Sequence, residues 1–158
     1  LAPNSRRLIA TSAYLERHGI PKKPADLIQH KLITHNASSS GNFWHFKQAD
    51  GGTKTIRAKG NIMIEGGDAI LRAVLNDGGI AMLPSYMTSR HLRSGALVSV
   101  LDKLVTEHYP IHAVTIPSRH AILKIDAFLD YLRSLYQPVP YWDAIDAPPT
   151  AAALRAAL

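Results

Sequence analysis

The chain contains no cysteine. That absence excludes a disulfide framework, a thiolate nucleophile and any cysteine-ligated metal, and it suits a reducing cytoplasm. No apolar run reaches the roughly 18 to 20 residues that a membrane helix needs. The N-terminal LAPNSRRL lacks the apolar core of a signal peptide, so a soluble protein with no membrane partner is expected. Acidic side chains are also in short supply, 12 Asp and Glu against 18 Lys and Arg, a formal charge of +6. A basic excess suits nucleic acid when it is clustered. Here Arg6, Arg7, Arg17, Lys22, Lys23 and Lys31 are scattered over several elements, so the chain itself is not expected to grip DNA.

Several catalytic patterns are missing as well. The stretch IEGGDAILRAVLNDGGIAMLP, Ile64 to Pro84, has two glycine pairs around a short helical pattern. It has neither the Lys-Ser/Thr that closes a phosphate loop nor the spacing of a dinucleotide fingerprint. Glu65 and Asp68 flank Gly66-Gly67, and two carboxylates would repel a phosphate. No serine stands in a nucleophile elbow. Of the eight histidines, His108 and His112 alone have the spacing of a helical metal pair, and Pro110 between them prevents a common helix. No metal, no cofactor and no enzyme activity are expected.

What is present is enough for a real core: 158 residues, 46% of them hydrophobic, point to one domain or slightly more. RLIATSAY is β-prone, and Ala13 to His18 makes a helical turn stopped by Gly19. Pro24 suits a first helical position before PADLIQH, and KLIT follows as a strand. NFWHFKQ, ADGG and TKTIRAKGNIMIE read as a hairpin, with Ile56, Ala58, Ile62 and Ile64 on one face of its second strand. Trp44 and Phe46, at alternate positions, read as core. Ala69, Ile70, Ala73 and Val74 recur at helical spacing, with Asp68 placed to cap the first turn and Asn76-Asp77-Gly78-Gly79 to end the helix. Ile80 to Leu83 is the kind of short apolar strand that is buried on both faces. SYMTSRHLRSG is a helix, ALVSVL a strand and PIHAVTIP another strand. Ile122, Ile125, Phe128, Leu129, Leu132 and Leu135 form the stripe of an amphipathic helix of about four turns. The alternation argues for an α/β fold. The proline-broken end, from residue 137, is expected to be partly mobile or to pack only through Tyr141 and Trp142.

His35-Asn36-Ala37-Ser38-Ser39-Ser40-Gly41 follows the strand KLIT. Short hydroxyls and an amide there suit a small polar ligand, because open α/β sheets place ligands at the carboxyl ends of their strands; an ordinary solvated serine loop has the same composition.

In order, LAPNSRRLIATSAYLERHGIPKKPADLIQHKLI, FWHF with its DG turn, GDAILRAVLNDGGIAMLPSYM, LRSGALVSVL, PIHAVTIP and RHAILKIDAFLDYL resemble the effector-binding region of LysR-type transcriptional regulators, over about residues 1–135. The resemblance implies an α/β fold like type 2 periplasmic binding proteins, a mixed sheet flanked by helices in each of two lobes, with a small-molecule inducer between them. It implies lobe two at residues 1–104, a crossover strand and helix completing lobe one at 105–136, and a tail at 137–158. The helix-turn-helix, the linker helix and the first half of lobe one are expected to lie outside this sequence, so DNA is reached only through another domain. Carried over residue by residue, the inducer wall comprises His35, Asn36, Ser38, Ser39 and Ser40, then Glu65, Gly66, Gly67 and Asp68, then Leu83 and Pro84. Many relatives show asparagine where Glu65 and Gly66 stand, and a carboxylate there disfavours an anionic inducer. The resemblance further implies a cytoplasmic dimer or tetramer with no catalysis of its own. Two other readings are a solute-binding lobe of a transport system and a small enzyme using His35. The stripe on helix 120–136 needs cover from a partner chain, a swapped copy or lobe two.

Overall fold

The structure, a computed structural model, describes residues 1–36, 42–106, 108–115, 123–137 and 139–143. The described strands are β1 (Arg6–Ala10), β2 (Leu32–His35), β3 (Phe43–Lys47), β4 (Thr53–Arg57), β5 (Ile62–Ile64), β6 (Ile80–Pro84) and β7 (Val98–Val100). The helices are α1 (Ser12–His18), α2 (Gly67–Leu75), α3 (Ser85–Arg93) and α4 (Leu123–Tyr136), with a 3-10 helix at Pro24–Gln29.

Five strands form a mixed sheet in the order β5-β2-β6-β1-β7, and β3 and β4 form a separate hairpin. β2 runs parallel to both β5 and β6, whereas β1 is antiparallel to β6 and β7. Side chains alternate across a strand, so a strand buried on both faces must be apolar throughout. β6 does this: Ile80 and Met82 join the core under α1 and the hairpin, while Ala81 and Leu83 join the core under α2 and α3. β1 divides likewise, with Leu8 and Ala10 on the first face and Ile9 on the second. Trp44 and Phe46 of β3 are buried in the first layer, as their alternation predicts.

Local chemistry sets the element ends. Thr11 caps α1 by accepting from the Tyr14 amide, and Asp26 accepts from the Lys22 and Lys23 amides at the start of the 3-10 helix. The hairpin turns at Gly51, where φ is +83° and Asp50 accepts from the Gly52 amide. At the end of α2, Gly79 has φ +147°, and a Cβ there would lie 2.2 Å from the Lys31 carbonyl oxygen. Only glycine lets β6 begin that close to β2.

Three expectations need correction. TKTIRAKGNIMIE is not one strand: β4 stays with the hairpin and β5 crosses to the main sheet, and the chain bends between them. Gly60 lies in that bend so near Thr34 that a Cβ would be 2.3 Å from Thr34 Oγ1. The shared parity of Ile56 and Ile62 therefore spans two sheets, and Ile62 is exposed. Asp68 does not cap α2. It occupies the first turn, and Gly66, without a side chain, holds the cap position. PIHAVTIP, finally, makes no strand within its described residues. The Tyr109 and Ile111 amides donate to the Asn4 and Ala2 carbonyls, but only isolated bridges form. Pro3 and Pro110 each remove a donor from what would be a ladder.

α4 forms where the stripe predicts it, yet buries no residue; Leu123, Phe128 and Leu135 are 79%, 59% and 47% exposed. The main sheet and its flanking helices therefore do not cover the stripe. At the chain's last described residues Trp142 is buried against Tyr86 and Tyr136, while Tyr141 stays exposed.

Candidate ligand-binding edge

The three parallel strands β2, β5 and β6 end at one edge of the sheet, at His35, Ile64 and Pro84. In an open α/β sheet that edge is where ligands bind, because helix N-termini and free backbone groups converge there. Two helices begin at this edge. α2 follows β5 after Glu65 and Gly66, and α3 follows β6 directly. Neither has a side-chain cap, so backbone N–H groups of both first turns, that of Ser85 excepted, remain for a partner or water.

β2 and β5 are tied beyond their last paired residues. The Asn36 amide donates to the Ile64 carbonyl at 3.0 Å, and the Gly66 amide donates to His35 Nε2 at 3.2 Å. Gly66 has φ +91°, a conformation that favours glycine and turns the chain sharply into α2. Gly67 packs against the end of the Met87 side chain, where a Cβ would stand 2.9 Å from Met87 Cε. On the β6 side the Ser85 amide donates to the Ser5 carbonyl and the Ser85 hydroxyl to Asp143 at 3.3 Å, so the tail reaches the start of α3.

Of the residues named from the sequence, His35, Asn36, Gly66, Gly67 and Pro84 stand together along this edge. Glu65 and Asp68 lie between them and are exposed, adding negative charge beside the positive ends of two helix dipoles. Leu83 lies inward of the edge. It is 4% exposed and packs with Ile9, Ala81 and Leu92 beneath α2 and α3, because its side chain alternates with Pro84 and points into the layer. Ser38, Ser39 and Ser40 lie outside the described residues. A cleft of about 520 Å³ opens between the first turns of α2 and α3, lined by Gly67, Asp68, Leu71, Tyr86, Met87 and Arg90. Tyr86 and Arg90 were not anticipated. Their i, i+4 spacing puts them on one face of α3, a signal visible in SYMTSRHLRSG.

The LysR substrate binding domain model matches residues 1–137. The chain belongs to that family. An uncharacterised helix-turn-helix transcriptional regulator of Escherichia coli, YcaN, is 33% identical over 127 residues, 79% of this chain and 40% of the relative. The regulator PtxR of Pseudomonas aeruginosa is 28% identical over 79% of the chain and 40% of its own length. The chain thus spans less than half of the curated relatives it matches. Among solved structures, the CrgA regulatory domain of Neisseria meningitidis superposes with a TM-score of 0.73 at 24% identity, over 85% of this chain and 65% of that one. The regulatory domain of AphB from Vibrio vulnificus gives 0.71 at 21% identity, over 85% and 66%. The fold is that of LysR regulatory domains, like type 2 periplasmic binding proteins. No helix among the described residues is long and apolar enough to cross a membrane.

Proposed function

We propose that this domain is the effector-sensing part of a cytoplasmic LysR-type transcriptional regulator, without catalysis of its own. DNA is contacted by a helix-turn-helix elsewhere in the regulator. Residues 1–104 form lobe two, residues 105–136 belong to lobe one, and 137–158 are the tail. The reading rests on the family match over residues 1–137. The joined carboxyl edge at His35 and Gly66, beside two helix starts without side-chain caps, gives it a place to act. A small molecule held there binds one arrangement of the lobes more tightly than the other, and that difference shifts how the DNA-binding heads of a dimer or tetramer are spaced. Relatives named as transcriptional regulators weigh against a transport role. Ser38, Ser39 and Ser40 are assigned to the same wall, with Glu65 disfavouring an anionic effector.

The test is a thermal-shift screen of small carboxylic acids, amines and aromatics on the whole regulator. A stabilising compound whose shift disappears in His35→Ala and Asn36→Ala supports the edge as the site. A shift that survives both substitutions places the site elsewhere.

A further inference from the structure

A second cavity lies at the opposite end of β2. It measures about 700 Å³ and sits between the 3-10 helix, the end of β4 and the bend that leads to β5. At about 3.3 Å per strand residue, its border at Leu32 is roughly 10 Å from His35. It is therefore separate from the carboxyl edge.

The cavity combines two kinds of surface. Leu27, Ile28, Leu32 and Ile56 form an apolar floor and rim, and Ile28 is 89% exposed beside its mouth. Such a side chain is stabilised when an apolar body covers it. Against this floor stand three cations, Lys31, Arg57 and Lys59, with no carboxylate among the lining residues described. The remaining polar groups are donors or contain one. Asn61 Oδ1 is occupied by the Leu32 amide at 3.2 Å, which leaves the Asn61 amide nitrogen for a ligand. His30 is buried, and its Nδ1 lies 3.3 Å from the Tyr14 hydroxyl. A volume of several hundred Å³, mostly apolar with a few converging donors, is the common form of a small-molecule site.

We propose that this cavity binds a small apolar carboxylic acid, its carboxylate on Lys31, Arg57 and Lys59 and its hydrocarbon body on Ile28, Leu32 and Ile56. Arginine favours a carboxylate through paired hydrogen bonds, and the lysines add charge without fixing geometry. A neutral amide of the same shape would meet the floor equally well but would lose the charge-assisted contacts. The proposal does not depend on the sensing role assigned to the carboxyl edge.

The test is a titration of the full chain with 2-naphthoate, followed in amide correlation spectra, with 2-naphthamide as the neutral control. Shifts should concentrate at Gln29 to Leu32 and at Arg57 to Asn61. The carboxamide and the R57Q/K59Q variant should each bind about tenfold more weakly. Both substituted side chains are exposed, so the core should remain folded, and an unchanged spectrum around Val74 checks this. Equal binding of acid and amide, equal binding by the variant, shifts centred on His35 and Gly66, or no shifts at millimolar naphthoate would each overturn the assignment.

Discussion

The Gly66 amide donates to His35 Nε2 at 3.2 Å, which joins the last residue of β2 to the turn that starts α2. The bond requires a lone pair on Nε2, so the ring proton of the neutral imidazole sits on Nδ1. His35→Ala should lower stability by about 1 kcal/mol, the usual contribution of one such bond. Amide exchange at Gly66 should accelerate while that at Val74 does not. Unaltered protection at Gly66 would show that the bond does not hold this turn.

Asp77 ties two layers together. It accepts from the Thr11 hydroxyl and from Arg17 at 2.5 Å, and both contacts hold its carboxyl below the usual 3.8, the Thr11 bond most strongly. A carboxylate whose folded pKa is depressed adds stability above its unfolded value, and that stability is lost as pH falls through the folded value. Thr11→Val should therefore raise the Asp77 midpoint toward 3.8 and weaken the N-cap of α1. Carbon-detected NMR titration of the side chain reads this directly, and a midpoint that stays put would assign the shift to Arg17 alone.

His30 works in the other direction. Burial chiefly, and then the charge of His18, push its pKa below the ordinary 6.5, against a smaller opposing pull from Asp26. The unfolded chain takes up its proton first as pH falls. Stability from neutral His30 is complete above about 6.5 and declines between that value and the lower folded one. Melting temperature should drop with acidification through this window in the native chain. His30→Gln should flatten the slope, and an equal slope in the variant would point to another histidine.

The exposed stripe of α4 predicts association. Phe128 and Leu135 are large apolar side chains left in water, and covering them with a second copy is favourable. The chain should sediment as a concentration-dependent oligomer. A Phe128→Glu, Leu135→Lys variant should be monomeric, with stability within about 0.5 kcal/mol of the parent because neither residue is in the core. A parent that stays monomeric at hundreds of micromolar would mean that the stripe has no affinity for itself.

Much of this architecture was legible from side-chain pattern. The wholly apolar Ile80 to Leu83, the alternation of Trp44 and Phe46 and the DG turn each reflect a local physical demand, and each element stands where expected. The failures share a different cause. Whether TKTIRAKGNIMIE runs on or breaks depends on Gly60 meeting Thr34, a contact between residues far apart in sequence. The cavity beside Leu27 and Arg57 was invisible because its walls come from two separated segments, neither with a motif.

The position of β1 governs when the domain can form. Leu8 pairs with Met82 on one side and Val100 on the other, so β1 sits inside the sheet between two strands that come much later in the sequence. A ribosome that has released Leu8 to Ala10 must add about ninety more residues before β7 exists to pair with them. Such non-local pairing slows folding and leaves an apolar strand without its neighbours during synthesis. Nascent chains ending before Val98 should thus be chaperone clients and sensitive to proteases, and resistance should arrive abruptly once β7 has left the exit tunnel.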